Sequence, residues 1–415
     1  MLICQRLKYK LKEEVDLSGI VSYFKFVLAK KCKVEIDIIG RVLSIKLCCP
    51  SRKYVADAKA RLNLVEGIER AVLPSLGFPK AFKLTYFKDK GICLGKDDRG
   101  APLCLPRKWL ERHVLIVGST GSGKSTTAHK LFSELEDSKV MLDWHGEHDW
   151  PNRISCVNLN KLDRLSNVEI LDALGSSLSL SDAQYYLLLK VLQLLRTQKR
   201  TFGIRDIIFY VKSLEETSRW MRESKFSLLR KLEMLVHKGV CKHDLTEIPY
   251  MSENGLVIDL SGYTEYGKRF VANVVIAYLF TQARAGMKKT FVFVEEAHNV
   301  VSKGDEGIVD KAFMEGRKYG LHLIAITQSP KSASPNIIKN TGLKVIHMLR
   351  EVEDAKYMAE SIGYPELWKE FISLEVGEAI IAFRKPLRVF IDSKKRTSSF
   401  HPSSKSTPCK GASRT

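Results

Sequence analysis

The chain contains no stretch of about eighteen consecutive apolar residues, so nothing in it reads as a membrane-spanning helix. Its opening residues, MLICQRLKYK, lack the apolar core of a signal peptide, which sets the expectation of a cytoplasmic protein without membrane insertion. Nine cysteines are scattered with no C-x-x-C pair among them. That pattern argues against a zinc site or a disulfide framework, and buried free thiols in a reducing compartment are expected. Acidic residues are few beside basic ones, 47 against 67, leaving a formal net charge of +20. Such an excess favours a polyanionic partner, either nucleic acid or an anionic membrane surface. No internal repeat is evident. What is present is ample apolar material: 45% of 415 residues, enough for two domains or for one large domain with an appendage.

One stretch organises the rest. Val114 to Val117 is an apolar run that reads as a buried strand, and Gly118-Ser-Thr-Gly-Ser-Gly-Lys-Ser125 follows it with the spacing of a phosphate loop. A helix is expected from near Thr126. Gly118, Gly121 and Gly123 let the backbone turn tightly, so that amides from Gly118 to Thr126, through Ser119, Thr120 and Ser122, face phosphate oxygens. The positive end of the helix dipole adds to the same anion. Lys124 is placed to reach the β- and γ-phosphates of ATP, and the Ser125 hydroxyl to ligate Mg2+.

Ahead of this loop, residues 1–87 read as a small α/β domain. Strands are expected at 2–11, 34–39, 42–47 and 81–87, with helices at 21–31 and 53–76, a βαββαβ order of the ferredoxin-like kind. Residues 88–393 form the main domain. It opens with a hairpin (91–94 and 101–105) and contains a helical insertion over about 180–243. Strands are expected at 139–143, 255–260, 289–294, 321–327, 343–348, 378–383 and 387–391. Strands alternating with helices around a phosphate loop imply a mainly parallel, doubly wound α/β sheet. From 394 to 415 the chain is rich in Ser, Pro, Thr and Lys, and reads as a disordered basic tail.

The strand Phe291-Val-Phe-Val294 ends in Glu295-Glu296, the second half of an ATPase site. Carboxylates at the C-terminal end of a buried strand face the crevice where ligands of such sheets sit. Glu295 is expected to hold Mg2+ through its water shell, and Glu296 to orient and deprotonate the attacking water. Asp143, at the end of its own strand, is expected near the metal and water. Asp143-x-x-Gly146 and Asn160-Lys-x-Asp163 mimic GTPase patterns, but lie too close together to leave room for the intervening elements of a GTPase. His145 and His148 beside Glu147 are a weak metal signal at that spacing.

These motifs together resemble the HerA branch of the HerA/FtsK ATPases. The resemblance is carried by Arg112-His113 before the phosphate loop, Asp-Trp-His-Gly-Glu at 143–147 and Glu-Glu-Ala-His-Asn at 295–299. Gly-Arg-Lys-Tyr-Gly at 316–320 and Thr327-Gln328 complete it, from about Ile92 to Ser393. It implies a RecA-like core assembled as a hexameric ring that pumps duplex DNA, in the processing of DNA ends. It also implies that Arg317 is the arginine finger for a neighbouring subunit, that Gln328 is the polar sensor, and that Arg112 is a second nucleotide-sensing arginine. Relatives begin with a small β-barrel that contacts a nuclease of the NurA type. Residues 1–87 do not read as such a barrel, which puts that partner in doubt.

Expected DNA contacts are the loop 299–307 with Lys303 and the segment 329–332 with Lys331, whereas the basic face of Arg219, Arg222, Lys225, Arg230 and Lys231 reads instead as an interaction face or an ordinary solvated one. Two other readings stay open: a plasmid or viral DNA-transfer or packaging ATPase of a related branch, and a nucleotide-gated DNA-binding regulator with little turnover.

Overall fold

The computed structural model describes residues 3–11, 32–39, 42–51, 58, 68–70, 84–85, 91–97, 100, 102–237, 239–301, 307–383 and 386–391. The chain divides into two compact units, Met1–Lys90 and Gly91–Thr415.

Among the described residues the first unit holds five strands: β1 (Ile3–Leu11), β2 (Lys33–Ile39), β3 (Val42–Cys49), β4 (Ile68–Arg70) and β5 (Leu84–Thr85). They form one sheet in the order β4-β1-β3-β2-β5, with every neighbour antiparallel. Leu43, Ile45 and Leu47 of β3 are buried, and Glu35 faces Lys46 across the β2–β3 pair at 3.4 Å. Two readings need correction. Residues 68–70 form a strand inside the stretch expected to be helical, and residues 84–85 pair with β2 at the far edge. In the expected βαββαβ order that last strand would lie beside β1, but β4 holds the place. The helices expected at 21–31 and through most of 53–76, and the tail 394–415, lie outside the described residues.

The second unit is built on an eleven-stranded sheet in the order β10-β11-β9-β12-β13-β8-β14-β15-β16-β6-β7. From β10 to β14 all neighbours are parallel; from β14 onward they are antiparallel. The hairpin β6 (Ile92–Lys96) and β7 (Pro102–Leu105) forms the antiparallel edge, with β15 (Glu378–Ala382) and β16 (Pro386–Ile391). The central strands are β8 (Val114–Val117), β9 (Ser138–Asp143), β11 (Leu256–Asp259), β12 (Thr290–Val294), β13 (Leu321–Thr327) and β14 (Leu343–His347), with β10 (Arg153–Ile154) at the parallel edge.

These central strands are apolar on both faces because both faces are covered, and successive residues separate cleanly between two cores. Leu115, Val117, Val292, Val294, Leu323 and Ala325 join the core that contains helix α6 (Glu265–Arg284). Val114, Ile116, Phe291, Phe293, Ile324 and Ile326 join the core of helix α1 (Lys124–Glu134) on the other face. Phe132 of α1 meets Phe293 edge-on, with ring centroids 5.2 Å apart.

A helix precedes the stretch expected as the insertion, from 180 onward. Helix α2 (Asn167–Leu178) has a full capping box, Ser166 with Glu169, and is followed by α3 (Asp182–Gln198), α4 (Ile204–Ser213) and α5 (Arg219–Glu233). The cysteine expectation also needs correction. Among the described residues the sulfurs of Cys32–Cys49, Cys93–Cys104 and Cys156–Cys241 lie at bonding distance. Cys93 and Cys104 are cross-strand partners of β6 and β7, whereas Cys156 and Cys241 are 85 positions apart and meet only in the fold.

Candidate active site

Strand β8 delivers the phosphate loop to the C-terminal edge of the parallel strands, where β8 is flanked by β13 and β14. Gly118 has φ 159°, and a Cβ there would lie 2.5 Å from Ser122 Oγ and 2.6 Å from the Cβ of His347. Glycine is required by close approach as much as by backbone angle. Beneath the loop His347, at the end of β14, joins the Thr127 hydroxyl (2.9 Å) to the Glu378 carbonyl (2.9 Å). The carbonyl can only accept, so Nδ1 carries the proton and Nε2 accepts from Thr127. Burial depresses the His347 pKa to about 4, the Glu378 carbonyl opposing, so the ring is neutral at pH 7.

The loop is shaped around an anion. Lys124 is buried, and its ammonium donates to the Ser119 carbonyl at 3.1 Å. Burial lowers its pKa, while Glu296 and Glu295 act to raise it. Ser122 Oγ is buried without a hydrogen-bond partner, an orphaned polar atom inside the cradle. The first amides of α1 have no intrahelical acceptor, and Gly123 caps that helix without any side-chain bond. Ser119 ties the loop to the β14 end: its amide donates to the Met348 carbonyl, and its hydroxyl accepts from the Arg350 amide, both at 2.8 Å. Ser125 and Thr126 are exposed at the helix start. These features suit the triphosphate of a nucleotide.

Strand β12 sets the two acids. Glu295 is buried, with Oε1 2.7 Å from His148 Nε2, and with Oε2 accepting from the Trp144 amide at 3.1 Å. Burial lifts its pKa, Asp143 adding to the rise while His148 and the Trp144 amide oppose it. Burial also works against a charge on His148, but Glu295, Asp143 and Glu147 outweigh it and raise that imidazole above its ordinary value. Asp143 is fully buried, and its carboxylate accepts from the amides of Gly146 (2.8 Å), Glu147 (3.2 Å) and His148 (2.8 Å). It shapes the Asp-Trp-His-Gly-Glu loop, and its ligand atom lies within 4.8 Å of those of His148 and Glu295. Glu296 sits in left-handed backbone (φ 45°, ψ 46°) at the start of the short helix α7 (Ala297–Val300). His145 Nε2 is 3.6 Å from its Oε1, and His298 Nδ1 is 3.2 Å from its Oε2.

Gln328 reaches the phosphate loop: its Oε1 accepts from the Thr120 hydroxyl at 2.7 Å. Arg317 and Arg112 do not. Arg317 lies exposed in the turn that precedes β13, and Arg112 lies two residues ahead of β8. Both therefore stand at the N-terminal ends of strands: β8, whose C-terminal end carries the loop, and β13, whose C-terminal end carries Gln328. For Arg317 the intervening strand is seven residues, roughly 20 Å. The Arg112 guanidinium is 5.3 Å from the Phe383 ring centroid.

Reading the chain alone gave His148 only as a weak metal signal, without its pairing to Glu295, and overlooked His298 and His347. The Glu-Glu-Ala-His-Asn motif contains His298 but does not mark its contacts; nothing local marks His347, which is brought under the loop by β14. The basic face of the insertion is largely engaged within the chain. Arg219 pairs with Glu223, Arg222 with Glu216, Lys225 with Glu216 and the Leu214 carbonyl, and Lys231 with the Ser179 carbonyl. Lys331 pairs with Glu353 at 3.2 Å, and Lys303 lies outside the described residues. Asp163, of the GTPase mimic, accepts from the Phe202 amide in the insertion. No helix among the described residues is long and apolar enough to cross a membrane.

Residues 92–279 match the protein family described as "Helicase HerA, central domain". The "DNA double-strand break repair helicase HerA" of Sulfurisphaera tokodaii is 26% identical over 327 residues, covering 68% of this chain and 65% of that protein. Its namesake in Saccharolobus solfataricus is 29% identical over 319 residues, covering 65% and 61%. This chain thus spans less than two thirds of the length of either. The "Probable DNA double-strand break repair helicase HerA" of Methanocaldococcus jannaschii is 24% identical, covering 90% of this chain and 88% of its own. Among solved structures, the bacterial conjugative coupling protein TrwBdeltaN70 matches with TM-score 0.57 and 15% identity, covering 74% of this chain and 90% of its own. VirB4 of Thermoanaerobacter pseudethanolicus matches with TM-score 0.57 and 15% identity, covering 74% and 98%. These likenesses extend to fold, where the mainly parallel P-loop sheet agrees with expectation. Residues 92–279 thus resemble the central domain of the HerA helicases, and the chain is similar to those helicases over about two thirds of its length or more.

Proposed function

We propose that this chain hydrolyses ATP and thereby moves along duplex DNA, as one subunit of a hexameric ring. The observation that carries the reading is a division within one chain. Lys124, Ser125, Glu295, Glu296 and Gln328 gather at one end of the parallel strands, while Arg317 and Arg112 stand at the other. A guanidinium so placed cannot serve its own phosphate loop, but can serve that of an adjoining copy. The relatives' names, each a DNA repair helicase, and the net charge of +20 support duplex DNA as the track.

In this reading Lys124 and the amides from Gly118 to Thr126 hold the triphosphate. Ser125 would hold Mg2+, with Glu295 behind it and Asp143 keeping the adjacent loop in place. The bound ion would offset charge on the β- and γ-phosphates. Glu296 takes the proton of the attacking water, Gln328 senses the γ-phosphate, and the neighbour's Arg317 stabilises charge that develops in the transition state.

The test is ATP turnover at low salt with and without long duplex DNA. DNA is expected to raise the rate, and an unchanged rate contradicts a DNA motor. Arg317→Ala should lower turnover by about a thousandfold or more while ATP still binds. Mixing it with Glu296→Gln should restore activity, because boundaries between unlike copies pair an intact Glu296 with an intact Arg317. Arg317→Ala turning over at full rate would sink the assignment.

A further inference from the structure

We infer that His298 is a positioning residue for Glu296, anchored in turn by Thr327. The inference rests on the reading of Glu296 as the group that activates water. Among the described residues Glu296 is one of three non-glycine residues in left-handed backbone, and its Oε2 is buried with no hydrogen-bond partner. A carboxylate so placed needs a donor to hold its direction. The near donor is His298 Nδ1, 3.2 Å from Oε2 but outside hydrogen-bond alignment. That same nitrogen is bonded to Thr327 Oγ1 at 2.9 Å, and Thr327 Oγ1 also accepts from the Ser329 amide at 3.1 Å.

The proton can be placed. An unprotonated Nδ1 would set its lone pair against the Glu296 carboxylate, so Nδ1 carries the hydrogen and Thr327 accepts it. A small rotation of the ring moves that hydrogen from Thr327 to Glu296. Thr327 ends β13, and the next residue is Gln328, whose Oε1 is bonded to Thr120 of the phosphate loop. His298 thus joins the water-activating acid to the strand that touches the nucleotide cradle.

The experiment measures DNA-stimulated kcat and KM together with equilibrium binding of a fluorescent ATP analogue. His298→Ala should lower kcat by about 10–100-fold, the usual cost of losing a group that orients a reacting one, while analogue affinity changes less than about twofold. His298→Asn places an amide N–H near the Nδ1 position and should recover most of the rate. Thr327→Val should lower kcat, Thr327→Ser should not, and the double variant His298→Ala/Thr327→Val should be no slower than His298→Ala alone.

The inference is overturned if His298→Ala turns over at the wild-type rate, if it loses analogue binding in step with kcat, or if His298→Asn is no better than alanine. Glu296→Gln separates the two ideas. If it stalls while His298→Ala runs normally, only the positioning role fails; if it hydrolyses freely, the reading of Glu296 itself fails.

Discussion

His347 shows how much one side chain can carry without touching substrate. In the unfolded chain its ring would take a proton near 6.5, and in the fold only near 4. Between those values the unfolded state binds more protons, so this contribution to stability is whole above about 6.5 and is lost as pH falls towards 4. The limiting slope is about 1.4 kcal/mol per pH unit for one proton. Urea midpoints at pH 7, 6 and 5 should therefore fall for the native chain. His347→Gln should start lower at pH 7, having lost the bridge between Thr127 and Glu378, yet fall less steeply. An equal slope in both proteins would show that the ring does not titrate as argued. His113, held to about 3 by burial, leaves a residual slope of the same sign in the variant. At the same scale, Gly118→Ala would drive a methyl into Ser122 and His347, and nucleotide binding should be lost while the sheet remains folded.

Among the elements, α1 and β12 are the pair on which the site stands, because one carries Lys124 and the other aims Glu295 and Glu296. Phe132 lies between them, almost wholly buried against Phe293 and Trp150. Phe132→Ala should cost about 3–5 kcal/mol, read by chemical denaturation. The Cys156–Cys241 link closes the helical insertion onto the edge of the sheet. Cys241→Ser in oxidised protein should lose about 2–4 kcal/mol, and reductant should bring the native chain to the level of the variant. No difference between them would mean that the sulfurs are not joined. Elements such as β13 were legible in the chain because an apolar run, broken only by His322 and bounded by turns, leaves few alternatives. Helix α2 was not, since its signal is a capping box ahead of mixed residues, and Ile68–Arg70 was absorbed into an apparently helical pattern by apolar neighbours.

For the molecule as a whole, the proposed service of Arg317 to an adjoining copy's phosphate loop would make activity a property of an assembly. ATP turnover per chain should rise steeply with protein concentration, in parallel with particle mass. The net charge of +20 should make duplex binding fall steeply between low and moderate salt with little dependence on base sequence, each phosphate contact adding about −0.9 to the logarithmic slope. A flat salt response would separate the charge from DNA binding.

Local order along the chain was sufficient for the phosphate loop, for the paired acids after β12 and for the α/β alternation. Each is a short-range pattern in which residue type and spacing answer to one backbone geometry. Contacts between distant segments were not available that way. His148 meets Glu295 across 147 positions, His347 reaches Thr127 across 220, and Cys156 joins Cys241 across 85. Those meetings come from strand order: β13 lies between β8 and β12, and β14 lies against β8, so residues at the ends of four separated strands share one edge. The placing of Arg317 at the opposite edge has the same origin, since a parallel sheet gathers the N-terminal ends of its strands on one side and their C-terminal ends on the other.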